Sequence, residues 1–213
     1  MKVYPIPGVG YGSNSYLVKS DKTALVDTGT DYANIIKETS KLNIQIDYLI
    51  LTHEHYDHVA LASQIVLNYN TRVYAHQLAA EYLEVGDSKH ILCDLFNTQY
   101  PPIKVDVILG HGDVIDLGEA RLKVIYTPGH SAGSVCLYER DSGYLFSGDV
   151  VFRDGIGRSD LPGGDFNKLM ISLDNLHKLY LKDGVKRLLP GHGPLGEGRD
   201  LEKNHLMYSS NIK

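Results

Sequence analysis

The 213-residue chain, 43% hydrophobic, is long enough for one large domain with a well-buried core. A net charge of −5 and a pI near 6.0 leave no general basic field for gripping a phosphate backbone, which argues against nonspecific nucleic-acid binding. No apolar run approaches the ~18 residues of a membrane span. The N-terminal MKVYPIPGVG has one lysine and then proline and glycine instead of the apolar core of a signal peptide.

Short runs rich in Val, Ile, Leu and Tyr alternate with longer stretches of helical periodicity. KVYPI, NSYLVKS and TALVDT read as strands, followed by a helix over Tyr32–Leu42 with Ile35, Ile36 and Leu42 on one side. DYLILT is a strand, 58–68 a helix, RVYAH a strand, and 77–96 one or two helices. TQYPPIK, at 98–104, reads as a connection, because Pro-Pro cannot continue a helix. Further strands are expected at ARLKVIYT, SVCLYE, GYLFSG and VKRLLP. The stretch 165–181 carries Leu169, Leu173, Leu176 and Tyr180 at helical spacing, with Asp165 as its N-cap. This pattern predicts an α/β protein of one domain (1–213) built as two α/β halves, about 1–97 and 105–213. Cys93 and Cys136 lack CxxC spacing and sit among apolar neighbours, so they read as small buried hydrophobes in a reducing, cytoplasmic setting.

The chemistry concentrates at LTHEHYDHVA, where an apolar strand runs into three histidines and two carboxylates. On an extended strand end, residues two apart point the same way, so His53 and His55 can reach one metal ion together. Asp57 and His58 come after the turn and can aim at a second position nearby. Neutral imidazole and carboxylate are ligands that zinc, iron and manganese accept. The motif supplies at most four ligands, and a binuclear site needs about three more. His130 in TPGHSAGS, Asp149 in FSGDVVF and His192 in LLPGHGP each follow a predicted strand in a glycine-containing turn.

Around this set, Glu54 and Tyr56 fill the variable slots of the motif and read as a solvated carboxylate and a packing aromatic. Asp27 is either a carboxylate partner for a ligating histidine or a plain turn residue before the helix. Arg153 and Arg158 are candidates to hold a substrate carboxylate; alternatively Arg158 pairs with Asp160. Tyr11 either lines the pocket or is a surface turn aromatic. His76, His90, His111, His177 and His205 lack ligand spacing and fall outside the site.

THEHYDH followed in order by TPGHSAGS, SGDVVF and PGHGP resembles the metallo-β-lactamase-fold superfamily across nearly the whole chain. SGDVVFRDGIGRSDLPGGD, NSYLV and ALVDTG resemble its small glyoxalase II-like hydrolases. The resemblance implies a four-layer αβ/βα sandwich with the site at one edge. It implies that His53, His55 and His130 bind one divalent metal, that Asp57, His58 and His192 bind a second, and that Asp149 bridges them. Zinc is the first expectation, with iron or manganese as alternatives. The implied reaction is hydrolysis of a small-molecule thioester or ester, possible substrates including S-lactoylglutathione, by a hydroxide held between the ions, with Asp57 also moving its proton. A persulfide dioxygenase with a single iron resembles the same motifs and is the alternative; a lactonase or β-lactamase fits the loop GIGRSD less well. The sequence leaves oligomeric state open.

Overall fold

The computed structural model describes residues 1–209. The chain first lays down β1 (Lys2–Ile6), β2 (Ser15–Lys19), β3 (Thr23–Val26), α1 (Tyr32–Leu42), β4 (Tyr48–Ile50), α2 (Tyr56–Val59) and α3 (Ala62–Tyr69). Next come β5 (Arg72–His76), α4 (Gln77–Val85), α5 (Ser88–Ile91), a 3-10 turn at Cys93–Phe96, and β6 (Val107–Leu109). The second part contains β7 (Val114–Asp116), β8 (Arg121–Tyr126), β9 (Val135–Glu139), β10 (Tyr144–Gly148), β11 (Val151–Phe152) and β12 (Gly155–Ile156). It ends with α6 (Phe166–Asp183), β13 (Arg187–Pro190), β14 (Gly196–Glu197) and α7 (Gly198–Ser209).

Among the described residues, β1 to β6 pair in sequence order into one sheet, antiparallel from β1 to β3 and parallel from β3 to β6. The second sheet has the order β14-β13-β10-β9-β8-β7, with β10 and β13 parallel. Buried side chains divide into three slabs. Leu17, Leu25, Leu49 and Val73 meet Ile35, Ile65, Ala79 and Leu83 between the first sheet and its helices. Val18, Val26 and Ile50 face Leu122, Val124, Leu137 and Phe146 between the sheets. Cys136, Leu145 and Leu188 meet Leu169, Leu173, Leu176 and Leu201 beneath α6 and α7. Helices, sheet, sheet and helices are therefore stacked in four layers, as expected from the sequence. Strands covered on both faces read as continuous apolar runs, which is the reason YLI and RVYAH lack strict alternation. Both cysteines are buried and free. Among the described residues no helix is long and apolar enough to cross a membrane.

Three boundaries differ from the sequence reading. The helix expected over 58–68 starts at Tyr56 and is broken near Leu61. The reason lies in hydrogen bonds from outside: Ser13 N donates to Asp57 O, Thr28 N and Oγ1 donate to His58 O, and Leu61 N turns to Thr28 Oγ1. The 77–96 stretch divides at Gly86, a left-handed C-cap, and again at Leu92. The crossing between sheets falls after Leu109 and not within 98–104, because β6 first adds to β5 as the edge strand of the first sheet.

Leu49 sits on a central strand with no exposed surface. Its replacement by alanine is expected to lower stability by about 2–5 kcal/mol, read by denaturant unfolding, through lost burial and the cavity left behind.

Candidate metal centre

The parallel strands deliver the chemistry to one edge. β3 runs out into Asp27 and β4 into His53; β8, β10 and β13 share a direction and run out into the turns that carry His130, Asp149 and His192. Two glycines make the convergence possible. Gly148 has φ +47°, and a Cβ there would lie 2.8 Å from Thr52 Oγ1. Gly191 lies so close to Asp149 Oδ1 and His58 that a side chain has no room.

The result is a tight cluster. Three sets of candidate ligand atoms each lie within 4.8 Å of one another: His53, His55 and His130; His53, His58 and Asp149; Asp57, His58 and His192. Asp149 stands between the outer sets, with one oxygen 3.2 Å from His58 Nε2 and the other 3.6 Å from His130 Nε2 and 3.5 Å from His192 Nε2. Asp57 Oδ2 is 2.9 Å from His192 Nε2. All seven candidate ligands of the sequence reading are thus brought together.

Hydrogen bonds from behind fix the rings. Asp27, buried and itself at φ 54°, accepts from His58 Nδ1 at 2.8 Å and from Thr52 N and Oγ1 at 2.8 and 2.7 Å. It is therefore a carboxylate partner for a candidate ligand histidine, and the cap of α1 is Asp31. His130 Nδ1 donates to the Arg158 carbonyl at 2.8 Å, which turns its Nε2 toward His55 Nδ1, 2.9 Å away. Thr52, whose hydroxyl also lies 3.1 Å from His53 Nδ1, had no distinguishing signal in the sequence.

Burial, followed by the neighbouring rings, holds the His53 imidazole well below its ordinary pKa and brings His55 down to about 3; burial also lowers His130. Burial pulls His58 the same way, but Asp149, Asp57 and Asp27 outweigh it and raise its pKa. His192 is raised by Asp57 and Asp149 against burial. Asp149 and Asp57 are held below the usual carboxylate range by His58 and the other facing rings, although burial opposes this. His53, His55 and His130, held neutral, and the ionised carboxylates are already in the protonation states a divalent cation requires, whereas His58 and His192 must give up a proton to bind one. His53 Nε2, His55 Nε2, His58 Nε2 and Asp149 Oδ1 are buried without a hydrogen-bond partner. Such atoms are costly to leave unpaired, and a bound cation satisfies them.

The family model described as the metallo-beta-lactamase superfamily matches residues 8–192. The chain belongs to that superfamily. It is 33% identical to a probable metallo-hydrolase of Methanocaldococcus jannaschii over 92% of this chain and 94% of the relative. To the hydroxyacylglutathione hydrolase GloC of Haemophilus influenzae it is 27% identical, over 91% of each chain. A solved structure, TTHA1623 in a di-iron-bound form, superposes with a TM-score of 0.82 at 28% identity, covering 96% of this chain and 99% of the other. The four layers described above are the metallo-β-lactamase fold.

The remaining candidates of the superfamily site separate clearly. A cavity of about 560 Å³ opens over His55, Asp57, His130, Asp149 and His192, and Tyr11 and Arg158 also line it. Arg158 donates from Nε and Nη2 to the two oxygens of Asp160, both at 2.7 Å, so its guanidinium is already paired. Arg153 does not line this cavity; it pairs with Asp154 at 2.8 Å beside a neighbouring one. Tyr56 packs against Phe96, ring centroids 4.9 Å apart, as a packing aromatic should.

Glu54 corrects the sequence reading. It is not a solvated carboxylate but has no exposed surface, and burial raises its carboxyl pKa to about 7. Ser131 Oγ donates to its Oε2 at 2.9 Å, tying the first motif to the turn that holds His130. Alternation along the strand end turns Glu54 away from His53 and His55, but here that direction is inward, toward Ala79 and Gly133, because α4 covers the sheet.

A carboxyl with a folded pKa of about 7 against an ordinary 4.5 stabilises least when ionised. Its contribution is full below about pH 4.5 and is lost as pH rises through 7, by about 3 kcal/mol in all. In the metal-free protein, wild type is expected to lose stability relative to Glu54→Gln over that window, as followed by chemical denaturation at a series of pH values. A difference independent of pH contradicts the assignment.

Proposed function

We propose that the chain is a single-domain, cytoplasmic, metal-dependent hydrolase that cleaves a small-molecule thioester, with two divalent ions, zinc in the first place and iron or manganese as alternatives. The observation that carries this reading is the geometry of the ligand sets, two of them joined by a buried Asp149 within reach of both. The names of the relatives support it: a metallo-hydrolase and a hydroxyacylglutathione hydrolase. His53, His55 and His130 would hold one ion and Asp57, His58 and His192 the other, with Asp149 shared.

When bound, the ions supply a water whose pKa is lowered from about 15.7 toward 7 and positive charge for the carbonyl oxygen. The chain's own groups supply position and proton transfer. Asp57, kept ionised by His58 and His192, orients the attacking water and takes its proton. The acyl carbon gains an oxygen, the carbon–sulfur bond breaks, and the thiolate leaves and is protonated in the open cavity. Asp27 and the Arg158 carbonyl keep His58 and His130 oriented throughout. Arg158, fixed by Asp160, shapes the wall of the cavity and leaves no free charge there for a substrate carboxylate.

The test is metal analysis of the purified protein together with two assays, hydrolysis of S-lactoylglutathione or a simpler thioester and oxygen uptake on glutathione persulfide. About two metals per chain with thioester turnover is the expected result. One iron per chain with oxygen uptake contradicts it and favours the dioxygenase. Asp149→Ala is expected to abolish turnover and deplete both metals; full metal content in that variant refutes the shared-ligand assignment.

A further inference from the structure

The cavity above the candidate metal centre is lined by apolar as well as polar groups. Beside the candidate ligands, Tyr11, Leu92, Leu95, Phe96, Phe152 and Leu161 line it, Phe152 lying edge-on to His192 with ring centroids 6.2 Å apart. Three of these come from one short segment: Leu92 caps the C-terminus of α5 in the left-handed region at φ 66°, and the 3-10 turn presents Leu95 and Phe96. Leu95 is 66% exposed and Tyr11 87%, a high share for large apolar groups beside a buried polar centre. Arg158, the one basic side chain other than histidine in the lining, is already neutralised by Asp160.

We propose that this wall selects the acyl half of the substrate, and that the preferred substrates are thioesters of hydrocarbon acyl chains of about four carbons or more. The inference rests on the thioester reading above and deepens it. A thioester reacting at the ligand cluster extends two groups from its carbonyl. The thiols that commonly carry acyl groups are polar or charged, so the acyl half is the part that supplies hydrocarbon to meet a leucine- and phenylalanine-lined wall. A cavity of about 560 Å³ leaves room for such a chain beside the reacting group. Among the described residues, Arg158 is the one lysine or arginine in the lining, and its pairing with Asp160 leaves none free beyond the candidate metal cluster to hold an anionic acyl group.

The test uses the metal-loaded protein and acyl thioesters of N-acetylcysteamine, a small neutral thiol, with acetyl, butanoyl and octanoyl chains. We expect kcat/KM to rise by about 30-fold from acetyl to octanoyl, a modest gain per methylene for a partly open apolar site. Independently of turnover, octanohydroxamate is expected to bind at least about 10-fold tighter than acetohydroxamate by calorimetry. Leu95→Asp, or Leu161→Asp should the first variant fail to fold, is expected to bring both ratios below about threefold, while Leu95→Met keeps them. A flat acyl series with all three esters hydrolysed overturns the proposal and leaves the thioesterase standing. So does a chain-length preference that follows the thiol in acetyl esters of ethanethiol and octanethiol. If no thioester is hydrolysed but the hydroxamate ratio and its loss in Leu95→Asp persist, the thioesterase reading fails and the apolar wall stands.

Discussion

The structure is organised around an electrostatic debt: imidazoles and carboxylates are crowded into a buried edge where water reaches few of them. His53, His55, His58, His130 and Asp149 are all buried, and several of their nitrogen and oxygen atoms have no hydrogen-bond partner. Polar groups in that state destabilise a fold unless something satisfies them. Bound cations would satisfy them, which is why the same atoms that are costly to bury are also well placed to bind metal. The surrounding slabs of Leu, Ile and Val supply the burial that offsets the cost.

The two sheets contribute through different devices. In the first, Asp27 gathers Thr52 and His58, so the end of β3 determines how the ends of β4 and α2 meet. That same demand breaks the helix expected across Leu61, since Thr28 takes the carbonyl of His58 and receives the amide of Leu61. In the second, Gly148 and Gly191 allow the turns carrying Asp149 and His192 to close against the first sheet, and Gly191 N donates to Gly148 O at 2.8 Å. Glu54 and Ser131 add a buried bond between the sheets' contributions. The candidate ligands ride on strand ends with rigid support, whereas half of the apolar lining, Leu92, Leu95 and Phe96, comes from the short helical segment after α4.

Much of this was legible in the sequence because it depends on local spacing. The alternation of apolar runs with helical periods marked nine of the strands and α1, α4 and α6, and the ligand residues stood out through their glycine turns. Elements held mainly by tertiary contact were not legible. β6 is three residues that pair with β5 at an edge, β14 is two residues beside β13, and α7 carries few buried apolar positions for a periodicity to reveal. Glu54 was misread because strand alternation says only that it faces away from His53 and His55, while the covering of that face by α4 is a long-range fact. The pairing of Arg158 with Asp160 was visible as an alternative from their two-residue spacing; the use of the Arg158 carbonyl to orient His130 was not, since backbone acceptors leave no trace in composition.

The central claim is that one shared carboxylate joins two metal positions, each bounded by its own three ligands. Anomalous diffraction at the metal absorption edge, from crystals of the metal-loaded protein, tests it most directly. The account predicts two peaks about 3.5–4 Å apart, one among His53, His55 and His130 and the other among Asp57, His58 and His192, with Asp149 between them. A single peak at full occupancy, with Asp57 and His192 turned away from it under metal excess, would contradict it.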